Sequence, residues 1–167
     1  LIPIQDVVPT GRVPAATLAL AALNVLHFFV PVAGTTLVAP FAHLALVPMI
    51  VAVVYLWLFG DNVEARLGRV AFVSVYVAGG FVPDMGAAGG VTAVMGSYLM
   101  LLPQSRVYML VPVPPVLVEV PALFFLAIWV ALHLPRFIAY PRSAWMFGLA
   151  FVIGAVVARL MRPRMRW

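Results

Sequence analysis

No cysteine occurs in this chain of 167 residues, and no lysine. The first absence removes disulfides and thiolate metal sites, and with them any reading of compartment from redox chemistry. The second leaves the net charge of +5 to arginine alone. Charge of either sign is scarce. Only 9% of the residues are Asp, Glu, Lys or Arg, where a soluble domain carries roughly a quarter. Four of the ten arginines, Arg159, Arg162, Arg164 and Arg166, fall in the last nine residues. That is the placement of an anchor among anionic headgroups, expected near Arg162, Arg164 and Arg166. It is not the broad basic face that nucleic acid requires, so no nucleic-acid partner is expected.

Hydrocarbon fills the chain instead. Hydrophobic residues make up 65% of it, and the mean hydropathy is +1.14. One crossing needs about 20 mostly apolar residues, so the length accommodates about six spans and no soluble domain. The expected fold is an all-α membrane protein, a six-helix transmembrane bundle forming one unit over 1–167. Beginning at Leu1, the sequence is expected to lack its true start, and no stretch reads as a cleavable signal peptide.

Apolar runs and their punctuation place the spans at about 14–32, 41–59, 70–82, 86–102, 116–134 and 143–160. Pro14 suits the first turn of the first helix, and Pro48 is expected to kink the second. Gly60 to Arg69 reads as a charged turn on the cytoplasmic side. The third span is short, since thirteen residues rise only about 20 Å against a core of about 30 Å. Val111 to Pro115 is too proline-rich for regular helix. Glu119 and Pro121 stand at the start of the fifth span, and 135–142 reads as a loop. With six crossings, eight arginines share one side and Arg136 and Arg142 take the other, which puts both termini in the cytoplasm.

The fourth span is the most distinctive. Gly86, Gly89, Gly90, Ala93, Gly96 and Ser97 recur at spacings of three and four, a single small face along a helix. Val91, Val94, Met95 and Tyr98 form the other face. Small faces let backbones approach closely in membranes, so this is expected to be the crowded central helix. Ala150 and Gly154 of the sixth span are read as packing positions of the same kind.

Several fragments resemble the rhomboid intramembrane protease family. They are Ile4 to Pro14, Leu23-Asn-Val25, Gly86-Ala-Ala-Gly-Gly90 and Val118 to Ala122. The most specific is Leu56-Trp-Leu-Phe-Gly-Asp-Asn-Val-Glu-Ala-Arg-Leu-Gly68. The resemblance implies a serine–histidine dyad that cleaves transmembrane substrates, with a histidine and an asparagine of the second helix at the oxyanion. A serine needs a base to take its proton, and the oxyanion needs fixed donors. In this sequence the nucleophile position is Ala88 and the base position is Phe147. The two oxyanion positions are Pro48 and Ala52. All four are apolar. The resemblance therefore implies a rhomboid pseudoprotease whose interior, stripped of polar groups, is drier and tighter.

Other chemistry was weighed beside this. Ser97 and His133 belong to opposite ends of their helices and are not expected to meet, so a residual serine protease is disfavoured. His27 and His43 are the positions to consider for haem or chlorophyll. Nothing supplies a second ligand or an attachment motif, so neither a cofactor nor a metal is expected. Asp84 and Glu119 read as helix-end acids rather than a transport relay. Binding remains. The resemblance implies a groove between the second and fifth helices that would hold transmembrane helices of a partner. The candidate contacts are Tyr55, Trp57, Phe124, Phe125, Ile128 and Trp129. The leading expectation is an accessory or scaffold subunit of a larger membrane complex in a bacterial cytoplasmic membrane. The alternative is transient client binding in membrane-protein quality control.

Overall fold

The structure, a computed structural model, describes residues 2–6, 13–30, 36–43, 45–112 and 115–161. Six helices follow the apolar runs: α1 (Ala15–Phe29), α2 (Leu46–Leu67), α3 (Arg69–Gly80), α4 (Ala87–Leu101), α5 (Ala122–Ala139) and α6 (Pro141–Met161). Of these, α2, α5 and α6 are long and apolar enough to cross a bilayer unaided. The other three are shorter. The 12 residues of α3 rise about 18 Å, so the third helix is short as expected.

Beside the helices lies a three-stranded antiparallel sheet in the order β1 (Ile2–Asp6), β2 (Arg106–Pro112), β3 (Pro115–Pro121). The reading of 116–134 as helix is corrected here, because α5 begins only at Ala122. Pro112, Pro115 and Pro121 deny the segment helical N–H groups, and its valines suit a pleated strand. Glu119, read as a helix-end acid, sits opposite Tyr108 on β2 and 3.3 Å from Arg106. The sheet closes the end of the bundle where α1 and α5 start and α4 ends. Arg66, Arg69, Arg106 and Arg159 fall at this sheet end, and Arg136 and Arg142 at the opposite one.

Three other boundaries differ from expectation. The charged stretch from Gly60 is helix, running on through a π turn at Leu56–Gly60 as far as Leu67. The chain reverses at Gly68, whose φ of +82° is costly for any residue with a Cβ. Pro48 does not kink α2. It is the third residue, where the backbone N–H has no helical partner to lose. The expected loop 135–142 is also helical, since α5 runs through Pro135 to Ala139 and α6 starts at Pro141. In the connection after α1, Thr36–Phe41 forms a 3-10 turn. Residues 31–35, the lead-in at 7–12 and the arginines at 162, 164 and 166 lie outside the described residues.

The central helix is α4, as its spacing implies. Val91, Val94, Met95 and Tyr98 are buried on one side, and the small face from Gly89 to Ser97 is buried on the other, while Gly86 stands just ahead of the helix and is half-buried. A Cβ placed on Gly154 would overlap the Ala93 carbonyl, and one on Gly96 would overlap that of Phe151. The α4 and α6 backbones therefore touch. A second close approach pairs Gly89 with Gly79 of α3, each filling the space a side chain would need. Such contact gains dispersion energy where lipid offers no hydrophobic drive between helices.

Candidate functional site

Pro48 and Ala52 lie in the first two turns of α2, and Ala88 lies in the first turn of α4. All three line one cavity of about 300 Å³ at the end opposite the sheet. The fourth position, Phe147 of α6, stands one layer behind. Its ring is 5.4 Å from His133, which does line the cavity, and 5.3 Å from Phe137. Three helices thus deliver the four positions to one place. The expectation of a tight, dry interior is corrected here. Short side chains at 52 and 88 leave space, and His43, Asp84, His133 and Arg136 share its walls.

Each of these polar residues is held by its neighbours. His43 lies on the connection ahead of α2, with Nε2 2.7 Å from Asn24 Oδ1. Asn24 in turn donates to the Leu20 carbonyl at 2.7 Å, and its oxygen also accepts from the Tyr76 hydroxyl at 2.9 Å. Because Asn24 Oδ1 only accepts, His43 Nε2 carries the proton. Burial, with a smaller push from His27, lowers the His43 pKa to about 4 and keeps the ring neutral. His133 Nδ1 bonds the Trp129 carbonyl at 2.8 Å. Arg136 donates to the backbone carbonyl of Asp84, a residue in the left-handed region at φ 65°.

The chain has four serines, and all are committed elsewhere. Ser74 Oγ donates to the Val70 carbonyl at 2.9 Å, and Ser105 Oγ to Leu102 at 2.9 Å. Ser143 Oγ donates to Tyr140 at 2.7 Å. Ser97, on the small face of α4, donates to Gly154 at 2.8 Å and is fully buried. Among the described residues no serine bonds an imidazole, and no cavity-lining residue carries a hydroxyl.

The six candidate partner contacts divide evenly. Tyr55, Phe125 and Trp129 turn inward and are buried. The Tyr55 hydroxyl donates to the Phe125 carbonyl at 2.7 Å, and its ring packs 4.7 Å from that of Trp129. Trp129 Nε1 donates to Thr92 Oγ1 at 2.9 Å. For these three, assignment as partner contacts is corrected. Tyr55 and Trp129 pack α2 against α5, and their polar tips find partners inside the bundle. Trp57, Phe124 and Ile128 face outward.

One residue escaped the sequence reading. Glu64, placed in a solvated turn, is 6% exposed and binds the start of α1. It accepts from the Ala16 N–H at 3.1 Å, the Thr17 N–H at 2.8 Å and the Thr17 hydroxyl at 2.9 Å. An anion at these unpaired amides also meets the positive end of the helix dipole. A carboxylate one helical turn before a left-handed glycine was the available signal.

The sequence matches the family model of the Rhomboid domain over residues 33–164. It is similar to the presenilin-associated rhomboid-like protein A, mitochondrial, of Danio rerio. The two are 24% identical over 82 residues, covering 40% of this chain and 21% of that protein. The match thus spans about a fifth of the relative's length. No solved structure matches the chain.

Proposed function

The chain belongs to the rhomboid family, and we propose that it is a non-catalytic member that binds transmembrane helices, as an accessory or scaffold subunit of a larger membrane complex. It is a multi-pass membrane protein. One observation carries the non-catalytic reading. Among the described residues none lining the cavity where Pro48, Ala52 and Ala88 meet carries a hydroxyl, while every serine gives its proton to a backbone carbonyl. Acyl transfer requires a nucleophile within hydrogen-bond reach of a base, and a donor at the developing oxyanion. Neither is supplied by an alanine, a proline or a phenylalanine.

Binding follows from the lateral surface. With Tyr55 and Trp129 joining α2 to α5 on the sheet side of their seam, a partner helix would lie outside the pair at that level. Trp57 on α2 and Phe124 and Ile128 on α5 are exposed there. The arginine-only basic set supports a bacterial cytoplasmic membrane as the host bilayer.

Purification in mild detergent tests the reading. A stoichiometric partner lost on Trp57→Ala with Phe124→Ala is the expected result, and a partner-free monomer would overturn it. Crosslinking in membranes separates a subunit, with one fixed neighbour, from a quality-control factor with many. A fluorophosphonate probe is expected to leave the chain unlabelled. Labelling that disappears with Ser97→Ala would restore a protease.

A further inference from the structure

The cavity that lacks a nucleophile is not chemically blank. His43 Nε2 gives its proton to Asn24, which leaves Nδ1 as a bare acceptor. His133 Nδ1 gives its proton to the Trp129 carbonyl, which leaves Nε2 in the same state. Neither nitrogen has a partner among the described residues, and neither is among the buried unpaired atoms. Two neutral imidazoles on the walls of one cavity thus offer lone pairs without donors to meet them.

Charge narrows the class of molecule that would answer them. The formal charges of Arg136 and Asp84 cancel, and the imidazoles add none. A carboxylate would gain no net attraction and would face two lone pairs. An ammonium could meet the lone pairs but gains no net attraction to offset the loss of its hydration. A neutral group with an O–H to donate meets the lone pairs without a charge to desolvate.

The rim supplies the rest. Val47 on α2 and Leu132 on α5 are 67% and 53% exposed and border the cavity, so its wall continues into the lipid-facing surface. Trp129 forms an apolar wall on the side toward the α2–α5 seam. At about 300 Å³ the space is at the lower end of small-molecule sites, enough for a polar head and the first part of a chain. We propose that this cavity binds the hydroxyl end of a neutral long-chain aliphatic alcohol entering from the bilayer, with His133 accepting its one proton. The site stands independently of whether the chain also carries a partner helix.

The experiment uses the full chain in lipid nanodiscs with a diazirine-bearing hexadecanol, photolysis and peptide mapping by mass spectrometry. Adducts are expected on 47–52, 85–88 and 129–136. Unlabelled hexadecanol is expected to displace the probe, and palmitate or hexadecylamine is not. His133→Phe keeps a ring and loses the acceptor, and should weaken displacement about fivefold, the value of one hydrogen bond. Ala88→Leu fills the cavity and should abolish the adducts with the fold intact by thermal unfolding. If either variant fails to fold, the wild-type competition decides alone. Adducts spread over the lipid-facing helices in proportion to exposure would overturn the proposal, and so would displacement by palmitate.

Discussion

The hydroxyl of Tyr55 on α2 reaches the backbone carbonyl of Phe125 on α5 at 2.7 Å, closing the sheet-side part of the seam where a partner helix was expected to lie. This bond lies inside the apolar bundle, where neither group finds water. Tyr55→Phe leaves the ring on Trp129 and removes only the hydroxyl. The expected cost is about 1 kcal/mol, toward the low end if the freed carbonyl finds another donor. A reversible unfolding titration in mixed micelles measures it. A cysteine pair placed across the seam should crosslink less efficiently in the variant.

The contact of α4 with α6 makes a sharper prediction. Gly154→Ala drives a methyl into the Ala93 carbonyl, and neither backbone can yield without moving a whole helix. The loss should exceed the ~1–3 kcal/mol of ordinary overpacking and show as failure to fold in detergent. Gly148 on the same helix has nothing within 4 Å of its would-be Cβ. Gly148→Ala should therefore be neutral or stabilising by up to about 1 kcal/mol, through helix propensity alone. Equal damage from both would mean that glycine acts through flexibility, not contact.

The same contrast explains what was legible beforehand. The small face from Gly89 to Ser97 was readable because close packing in lipid leaves its mark on residue size, every third or fourth position. The convergence of 48, 52 and 88 was readable only through the family resemblance, because alanine and proline carry no signal of their own. Trp129 was read as a partner-helix contact and is buried instead. An aromatic in an apolar helix looks the same from sequence whether its N–H meets Thr92 or a headgroup. The hairpin at 106–121 was hidden for a related reason. Its valines and leucines satisfy a hydrophobic span as well as a strand, and only the prolines argued otherwise. Glu64 was hidden because a charge next to a turn is usually solvated, and its partners lie 47 residues away in the chain.

Glu64 yields the next prediction. Its two oxygens bind both N–H groups and the hydroxyl at the start of α1, and Arg69 approaches one of them to 3.5 Å. Glu64→Gln keeps the shape but turns an amide NH₂ toward a backbone N–H, which can only donate. A loss of about 2–3 kcal/mol is expected, in line with hydrogen bonds to a charged acceptor. Thr17→Val removes one donor of three and should cost about 1 kcal/mol. Hydrogen exchange at Ala16 and Thr17 should rise in Glu64→Gln before any change at α4, placing the damage at the sheet end.

His43 makes stability depend on pH, and the sign is fixed by its neighbours. In the unfolded chain its imidazole titrates near 6.5, whereas in the fold burial and the nearby His27 lower it to about 4. Between those values the unfolded state binds the proton and the folded state does not. Stability contributed by His43 is therefore fully present above pH 6.5, declines as pH falls toward 4, and changes no further below that. The thermal midpoint in a neutral detergent should fall across that window. His43→Gln retains a donor for Asn24 and cannot titrate, so it should remove that part of the slope while leaving the midpoint at pH 8 close to wild type. A slope unchanged by the substitution would overturn this assignment and place the His43 ring in water rather than against α1.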